Sequence, residues 1–307
     1  MAEVAAGPVT TPIEPAWVAA HLPARPRRAH KGSFGRLLVV AGSLEYAGAA
    51  LLTGLGAARA GVGLVTIATA ESVALRLMGQ VPELTMMPLA EEAPGLIAPA
   101  GWRRLPGEAA AYQAAVVGPG LGRHPATLRR VRGLVGDLRV PSVVDADGLN
   151  ALAQSDRWWR DVGGPLVLTP HPGEFARLVG GAGGDAFADD DAVRAEAARE
   201  AADRWRLVVV LKGANTVIAA PDGELLVSGV ATPALATAGS GDVLAGAIGA
   251  LLAAGLAPFE AAACGVAIHG AAGVLAEERI GSAGVLARDV ADLLPIAAER
   301  LRRGARA

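Results

Sequence analysis

Residues 237–242 (TAGSGD) stand directly before a long apolar stretch and carry residue types that suit phosphate chemistry. Glycines at the start of a helix let backbone N–H groups point at an anion, and the helix dipole favours negative charge there. An aspartate beside such an anion hole can act as general base on a hydroxyl that attacks a phosphoryl group, so we predict this role for Asp242. A plainer interpretation, in which Ser240 or Asp242 only caps the helix, leaves the two glycines around the serine unexplained.

A lysine stands where a buried strand is expected to end, in residues 212–216 (KGANT). Its ammonium can hold a phosphate as a point charge, and Gly213 lets the backbone approach that phosphate. The alternative is a surface lysine that opens a hairpin. Lys212 and Lys31 are the only lysines among 28 basic residues. Lys31 lies in residues 30–35 (HKGSFG), which are equally well interpreted as a solvated loop.

Residues 169–174 (TPHPGE) also follow an apolar run. Pro172 suits the first turn of a helix, and Glu174 then lies near the positive end of that helix. His171 has a restrained backbone because it stands between two prolines. Its position at a strand end leaves a structural and a functional interpretation equally open.

Two further turns are rich in glycine or acidic residues. Residues 118–122 (GPGLG) do not match a dinucleotide-binding fingerprint, and they indicate either a tight turn or a close approach of ligand to backbone. In residues 145–148 (DADG), Asp145 can orient a water bound to Mg²⁺, whereas Asp147 is predicted to cap the next helix.

These segments require an α/β fold to bring them together. Five short apolar runs end in the polar or glycine-rich turns, at 37–41, 114–117, 142–144, 166–168 and 207–211, and residues 64–68 form another strand. Because ligands bind outside the carboxyl ends of parallel strands, the turns are expected to share one edge of a sheet. A hairpin at 216–219 and 225–227 and three helices at 241–254, 259–277 and 287–302 follow. We predict an N-terminal arm over residues 1–30 and a single domain over residues 31–307.

Composition excludes several classes of protein. Of 307 residues, 52% are hydrophobic and the net charge is −2, which excludes intrinsic disorder and gives no basic surface for nucleic acid. The single cysteine excludes a disulfide framework and a cysteine-based zinc cluster. No secretory signal is visible, and the most apolar stretch, residues 243–256, is shorter than the roughly 20 residues that span a bilayer. We therefore expect a cytoplasmic protein with no membrane partner.

Taken together and in this order, the segments resemble the ADP/ATP-dependent NAD(P)H-hydrate dehydratase family of the ribokinase-like superfamily. The match runs from residue 30 to about residue 276 and includes residues 30–35, 42–49, 118–122, 145–149, 169–174, 212–216 and 239–242. The resemblance implies a three-layer α/β/α sandwich with a mainly parallel sheet. It also implies nucleotide-driven removal of water from the S epimer of NAD(P)H hydrate, with ADP giving AMP and phosphate. The choice between ADP and ATP stays open.

The resemblance carries roles to particular residues. Asp242 would contact the hydrate hydroxyl as the catalytic base, and Ala49, Gly120 and His171 would line the hydrate pocket. Glu174 and Asp145 would organise Mg²⁺, in part through water. The adenine nucleotide would be held by Lys212, Gly213, Ala214, Asn215, Thr216, Gly239, Ser240 and Gly241. The resemblance further implies a homo-oligomer, and a separate epimerase as partner because the chain has no room for that domain.

Two other functions remain open. A ribokinase-like kinase for a vitamin or sugar would use the same anion hole, but the turns at 118–122 and 171–174 fit a large dinucleotide better than a small alcohol. A nucleotide-binding protein without catalysis is the other alternative. The intact acid, anion hole and lysine argue against it.

Overall fold

A ten-stranded sheet forms the centre of the molecule in the computed structural model, which describes residues 10–181, 187 and 190–304. Its strands are β1 (Thr11–Pro12), β2 (Arg36–Val40), β3 (Leu64–Ala70), β4 (Thr85–Leu89), β7 (Ala114–Val117), β8 (Ser142–Val144), β9 (Leu166–Leu168), β10 (Val208–Leu211), β11 (Val217–Ala219) and β12 (Leu225–Val227). The short strands β5 (Glu91–Ala93) and β6 (Leu96–Ile97) pair separately.

The strand order is β1-β12-β11-β10-β9-β8-β7-β2-β3-β4. All neighbours from β4 to β10 are parallel, whereas β11 pairs antiparallel with both β10 and β12. The chain moves outward from β2 to β4, returns to β7 and then continues in the opposite direction. The boundary between β2 and β7 is therefore the switch point at which such sheets bind ligands.

Helices cover both faces of the sheet. They are α1 (Pro15–His21), α2 (Ala47–Ala60), α3 (Glu71–Leu77), α4 (Pro99–Ala109), α5 (Pro125–Asp137), α6 (Asp147–Leu152), α7 (Pro172–Leu178), α8 (Asp191–Trp205), α9 (Ser240–Ala253), α10 (Pro258–Ile280) and α11 (Ala287–Gly304). Right-handed crossovers that run in opposite directions along a sheet lie on opposite faces, which separates α2 from α5. The face that carries α2 also carries α9, α10 and α11, and these helices pack against one another.

The central strands are buried along their length, as β7 and β8 show, because helices cover both of their faces. The predicted strands and the final three helices agree with the structure to within a few residues. The strand β4 was not predicted. It forms one end of the sheet, and Pro88 within it suits an edge strand because proline donates no hydrogen bond to a neighbour.

The N-terminal arm and helix α10 complete the architecture. The predicted arm lies outside the described residues up to residue 9. From residue 10 it contributes β1 and α1, and α1 packs against α11.

Helix α10 is long and apolar enough to cross a membrane by length and composition alone, but 78% of its most apolar window is buried. Because α10 packs between α9 and α11, it is a core helix.

Close contact between α2 and α9 fixes the start of α9. A Cβ on Gly246 would lie 2.0 Å from the carbonyl oxygen of Thr53, and one on Gly56 would lie 2.4 Å from that of Val243. Only glycine allows the two backbones to approach this closely. This crossing therefore sets the distance between residues 47–49 at the start of α2 and residues 239–242 at the start of α9.

Candidate active site

The carboxyl ends of the parallel strands meet at one edge, as the sequence predicts. The backbone N–H of Lys212 donates to the carbonyl of Pro170 at 2.8 Å, and that of Thr169 donates to Val144 at 3.2 Å. These bonds continue the sheet beyond β8, β9 and β10. They hold the turns after those strands side by side.

A buried ion pair occupies this edge. The Oδ1 atom of Asp145 accepts hydrogen bonds from the Thr169 hydroxyl at 2.8 Å and from Lys212 Nζ at 2.9 Å. Glu174 Oε2 lies 3.9 Å from the same ammonium. Burial by itself lowers the pKa of Lys212, but the carboxylates of Asp145 and Glu174 outweigh it and hold that pKa above its ordinary value. Lys212 therefore stays charged and offsets part of the carboxylate charge.

Asp242 is the third residue of α9 and is partly buried. Burial raises its pKa to about 7, and the negative charge of Asp145 adds to this effect, while Lys212 opposes it. A carboxyl that titrates near neutral pH can accept a proton during a reaction and release it afterwards. The geometry therefore suits a general base.

The start of α9 forms an uncapped helix end. The cap residue is Gly239, with a left-handed φ of 89°, and no side chain within the described ranges caps this helix. Ser240 and Asp242 stand inside the first turn, so the interpretation of either as the cap is wrong. Free N–H groups of the first turn can bind an anion. A Cβ on Gly241 would lie 3.3 Å from Lys212 Nζ, so this glycine brings the backbone close to the ammonium.

Sequence reasoning missed His269, which lies in the middle of α10. Its Nε2 atom is 3.1 Å from the Ser240 hydroxyl oxygen, and the side chain is buried. Burial lowers the pKa of His269 to about 4, so the ring is neutral at physiological pH. The surrounding sequence is apolar and gives no motif that would have identified this histidine.

A cavity of about 590 Å³ opens beside the start of α9. Its lining includes six of the eight residues predicted to bind the nucleotide: Lys212, Gly213, Ala214, Thr216, Ser240 and Gly241. Gly239 and Asn215 are not in the lining. Residues 230–233 and 235–237, between β12 and α9, form another wall that was not predicted from the sequence. The signal in the sequence that could have indicated this wall is Thr232, which caps the short turn Pro233–Leu235.

Asn215 is not part of that lining, and its side chain supports the turn that precedes β11. Its Nδ2 atom donates to Asp191 at 2.8 Å, and its own backbone φ is 54°. Arg194, which is only 1% exposed, donates to the carbonyl oxygens of Ala214 at 2.6 Å and Asn215 at 3.0 Å. Arg194 was not predicted, and it fixes the backbone of residues 213–215 from beneath.

Ala49 and Gly120 meet at the switch point of the sheet. A Cβ on Gly120 would lie 2.7 Å from the Ala49 methyl carbon and 2.7 Å from the carbonyl oxygen of Tyr46. Gly120 also has a positive φ of 62°. The close approach requires glycine, and the positive φ favours it. Two predicted lining residues of the hydrate pocket are thus neighbours: Ala49 lies in the first turn of α2, and Gly120 lies in the turn after β7.

His171 caps helix α7. Its Nδ1 atom accepts a hydrogen bond from the N–H of Gly173 at 3.0 Å, and Glu174 Oε2 accepts one from the backbone N–H of His171 at 2.9 Å. Burial and the nearby charge of Lys212 lower the pKa of His171, which favours the neutral ring. The structural interpretation of His171 is confirmed, and its contact with substrate stays a prediction.

Asp147 does not cap α6, so that prediction is wrong. The cap position is Ala146, which has φ 52° and makes no side-chain hydrogen bond. The Oδ2 atom of Asp147 instead accepts from the backbone N–H of Gly122 at 2.9 Å, and its Oδ1 accepts from Asn150 at 3.2 Å. Asp147 therefore ties the glycine-rich turn after β7 to the turn after β8.

The sequence profile of NAD(P)H-hydrate dehydratases matches residues 37–296. The chain belongs to the NAD(P)H-hydrate dehydratase family. The ADP-dependent (S)-NAD(P)H-hydrate dehydratase of Xanthomonas campestris is 40% identical over 270 residues, which cover 88% of this chain and 90% of that protein. The crystal structure of the ADP/ATP-dependent NAD(P)H-hydrate dehydratase of Bacillus subtilis, co-crystallised with ATP and Mg²⁺, matches with a TM-score of 0.79 at 35% identity. The structural match covers 97% of this chain and 100% of the Bacillus subtilis chain.

Longer relatives contain this unit as one part. The bifunctional NAD(P)H-hydrate repair enzyme of Moorella thermoacetica is 44% identical over 280 residues, which cover 91% of this chain and 52% of the relative. The chain thus spans about half the length of such bifunctional relatives. The resemblance noted in the sequence is confirmed. The TM-score also confirms the three-layer ribokinase-like architecture.

The carboxylates of this dehydratase-family site suit a Mg²⁺ ion held mainly through water. Within residues 10–181, 187 and 190–304, no three His, Cys, Asp or Glu side chains are arranged to hold an ion directly. Mg²⁺ commonly keeps several waters and takes one or two carboxylates together with substrate phosphates. Asp145 and Glu174 offer such oxygen ligands at the edge where the anion hole opens. Their role toward Mg²⁺ stays a prediction.

The second lysine lies away from the site. Lys31 is exposed in the 3₁₀ turn Lys31–Phe34, directly before β2 begins. The candidate site lies beyond the other end of β2. Lys31 therefore belongs to the opposite edge of the sheet from Lys212. It also precedes residues 37–296, which the family profile matches, whereas Lys212 lies within them.

Proposed function

We propose that this chain is a hydro-lyase that uses ADP, or ATP, to convert the S epimer of NAD(P)H hydrate back to NAD(P)H. With ADP the other products are AMP and phosphate. The observation that carries the proposal is the Asp242 carboxyl with a pKa of about 7 beside the uncapped start of α9. The dehydratase names of its relatives support the same substrate.

In the first step, the hydroxyl oxygen of the hydrate attacks the terminal phosphorus of the nucleotide. The new oxygen–phosphorus bond forms as the bond to AMP breaks, and Asp242 takes the hydroxyl proton. Backbone N–H groups at the start of α9 stabilise the charge on the transferring phosphoryl group. The cavity lined by Lys212 and residues 213–216 would hold the rest of the nucleotide.

In the second step, phosphate leaves the ring carbon. Phosphate is a far better leaving group than hydroxide, and the lone pair of the ring nitrogen assists as the carbon–oxygen bond breaks. Loss of a proton from the neighbouring ring carbon then restores the double bond of NAD(P)H. When bound, Mg²⁺ would offset phosphate charge, and Asp145 and Glu174 would orient its waters.

The test is an assay on hydrated NADH and hydrated NADPH that measures recovery of the absorbance of reduced nicotinamide. We expect recovery only with nucleotide and Mg²⁺, and separate runs with ADP and ATP identify the nucleotide used. Absence of recovery with both nucleotides would refute the proposal. A stable phosphorylated product that accumulates would instead support a small-molecule kinase.

The proposal extends to partners. The family resemblance implies an epimerase that interconverts the two hydrate epimers, and we propose that such an activity supplies the S epimer to this site. We also propose a homo-oligomer in solution, in which the alanine- and glycine-rich helices contribute contacts. Size-exclusion chromatography with light scattering tests the oligomer, and addition of an epimerase to a mixed-epimer assay tests the supply.

A further inference from the structure

Four side chains form a row, joined by one ion pair and two hydrogen bonds, that the proposed chemistry does not use: Arg123, Asp147, Asn150 and Arg177. Arg123 Nε lies 3.5 Å from Asp147 Oδ1, which accepts a hydrogen bond from Asn150 Nδ2 at 3.2 Å. The Oδ1 atom of Asn150 then accepts one from Arg177 Nε at 3.0 Å. The row thus joins the turn after β7, helix α6 and helix α7.

Both arginines use Nε for their contact with the row, Arg123 in an ion pair and Arg177 in a hydrogen bond. Each guanidinium is held through Nε, and no side chain or carbonyl within the described ranges accepts a hydrogen bond from its terminal nitrogens. Their two Nη groups are therefore available to a ligand. Arg123 is exposed over 71% of its side chain, while Asp147, which holds it, is buried. An exposed cation on a buried support suits recognition of a ligand from solvent.

The row lies on the side of the site where Ala49, Gly120 and His171 were predicted to line the hydrate pocket. Arg123 directly follows Gly122, whose N–H is bound by Asp147. Arg177 Nη1 lies 3.8 Å from the position that a Cβ on Gly173 would take, next to His171. The positive charges of Arg177 and Arg123 also contribute to the lowered pKa of His171, which is consistent with this placement.

We propose that Arg123 and Arg177 bind phosphate groups of the dinucleotide substrate, an inference that rests on the proposed function. The substrate carries a pyrophosphate, and its NADP form carries one more phosphate on the ribose. Asp145, Glu174 and Asp242 repel such anions from the centre of the site, so cations at its rim are needed to hold them. Planar guanidinium groups bind phosphate oxygens in pairs. Asp147 and Asn150 are positioning residues for the two arginines.

The test compares Arg123→Gln, Arg177→Gln and the double variant with the parent protein. We measure KM for hydrated NADH, for hydrated NADPH and for ADP, and equilibrium binding of intact NADPH by its fluorescence. Each single variant is expected to raise KM for the hydrate about tenfold, which corresponds to one charged hydrogen-bonded contact, with KM for ADP unchanged. Arg177→Lys, which keeps the charge but not the planar group, is expected to recover part of the loss.

Arg130→Gln is the matched control. Arg130 is exposed on α5 beside Ile97 and Pro99, outside the candidate site, so its replacement is expected to leave all three KM values unchanged. Asn150→Ala is expected to raise the hydrate KM less than Arg177→Gln. Melting temperatures of all variants are measured in parallel, and they distinguish loss of binding from loss of folding.

The outcomes distinguish the two sources of phosphate. An equal rise of KM for both hydrates assigns the arginines to the pyrophosphate, and a rise confined to hydrated NADPH assigns them to the ribose phosphate. Unchanged hydrate KM values, or a change confined to ADP, would overturn the inference. If the parent protein shows no dehydration, weaker NADPH binding by the variants would still support the phosphate site while the proposed function fails.

Discussion

At the scale of single residues, the proposed chemistry depends on how one edge of the sheet shifts the proton affinity of a carboxyl. Asp242 lies near Asp145 and Glu174, with Lys212 as the cation that faces them, and burial raises the Asp242 pKa to about 7. An ordinary aspartate on the surface would be a much weaker base. In the proposed reaction, the surrounding carboxylates therefore make Asp242 a stronger base even where they do not touch substrate.

Asp242→Asn removes the proton acceptor and keeps the size of the side chain. We expect dehydration to fall by about 10²–10⁴-fold, the usual contribution of a general base, with nucleotide binding still measurable. In the parent enzyme, kcat/KM should rise with pH through an apparent pKa near 7, because Asp242 must be deprotonated to act. Activity near the parent level in the variant, or a flat pH profile in the parent, would contradict the role.

The two lysines provide a matched pair of substitutions. Lys212→Arg is expected to lower kcat/KM by about tenfold or more, because the larger guanidinium does not fit between Asp145 and Gly241, where Nζ lies 3.3 Å from a Cβ position. Lys31→Arg is expected to leave kinetics unchanged, since Lys31 is exposed at the opposite edge. Equal kinetics for both variants would show that Lys212 acts only as a positive charge.

At the scale of elements, the contact between α2 and α9 links the hydrate side of the site to the phosphate side. Helix α2 begins near Ala49, and α9 begins with the anion hole and Asp242. Glycines at the crossing let the two backbones touch, so the distance between the two helix starts is set by contacts a turn or more away. Local composition explains this crossing, but the sequence pattern did not identify the partner helix.

Gly246→Ala tests that crossing. A methyl group would lie 2.0 Å from the Thr53 carbonyl oxygen, and backbone there cannot give way as a flexible side chain could. We expect a loss of about 2 kcal/mol or more in the free energy of unfolding, together with a lower kcat, as measured by denaturant titration and assay.

Gly133→Ala is the control for the Gly246 substitution. Gly133 is exposed within α5, and nothing lies within 4 Å of its Cβ position. Alanine there is expected to stabilise the protein by about 0.5–1 kcal/mol through helix propensity. If Gly246→Ala behaved like this control, the crossing would not constrain the site.

At the scale of the whole molecule, the site makes folding less favourable as pH rises. The folded protein holds the Asp242 proton up to about pH 7, whereas the unfolded chain releases it near its ordinary pKa of 3.8. Between these values the folded state binds more protons, so the free energy of unfolding falls as pH rises and the loss is complete above about pH 7. The raised pKa of Glu174 acts in the same direction.

Asp242→Asn should therefore be more stable than the parent at pH 8 and no more stable at pH 4. We expect a gain in the free energy of unfolding on the order of 2 kcal/mol at pH 8. A full contribution of about 1.4 kcal/mol for each unit of pKa shift would give a larger gain, but the carboxyl is not fully removed from solvent. Denaturant titrations at both pH values measure the difference. A constant difference across pH would show that the proton of Asp242 is not linked to folding.

Much of the fold could be read from local patterns because short apolar runs followed by polar turns are typical of parallel strands. The strand β4 escaped this reasoning since Pro88 and its edge position remove the pattern of a buried strand. Asp147 was misassigned for a related reason. A local rule predicts an aspartate cap before a helix, but the turn after β7, which is distant in sequence, offers the Gly122 N–H instead.

The sequence by itself determined which side chains stand at the strand ends, because strand, turn and helix preferences act over a few neighbouring residues. Only the tertiary structure decided how these side chains share charge and space. His269 reaches Ser240, and Arg194 reaches the backbone of residues 214–215, across distances in the chain that carry no local pattern. The pKa of Asp242 likewise depends on burial and on carboxylates from other strands. Such effects exist only when separate elements pack at one edge of the sheet.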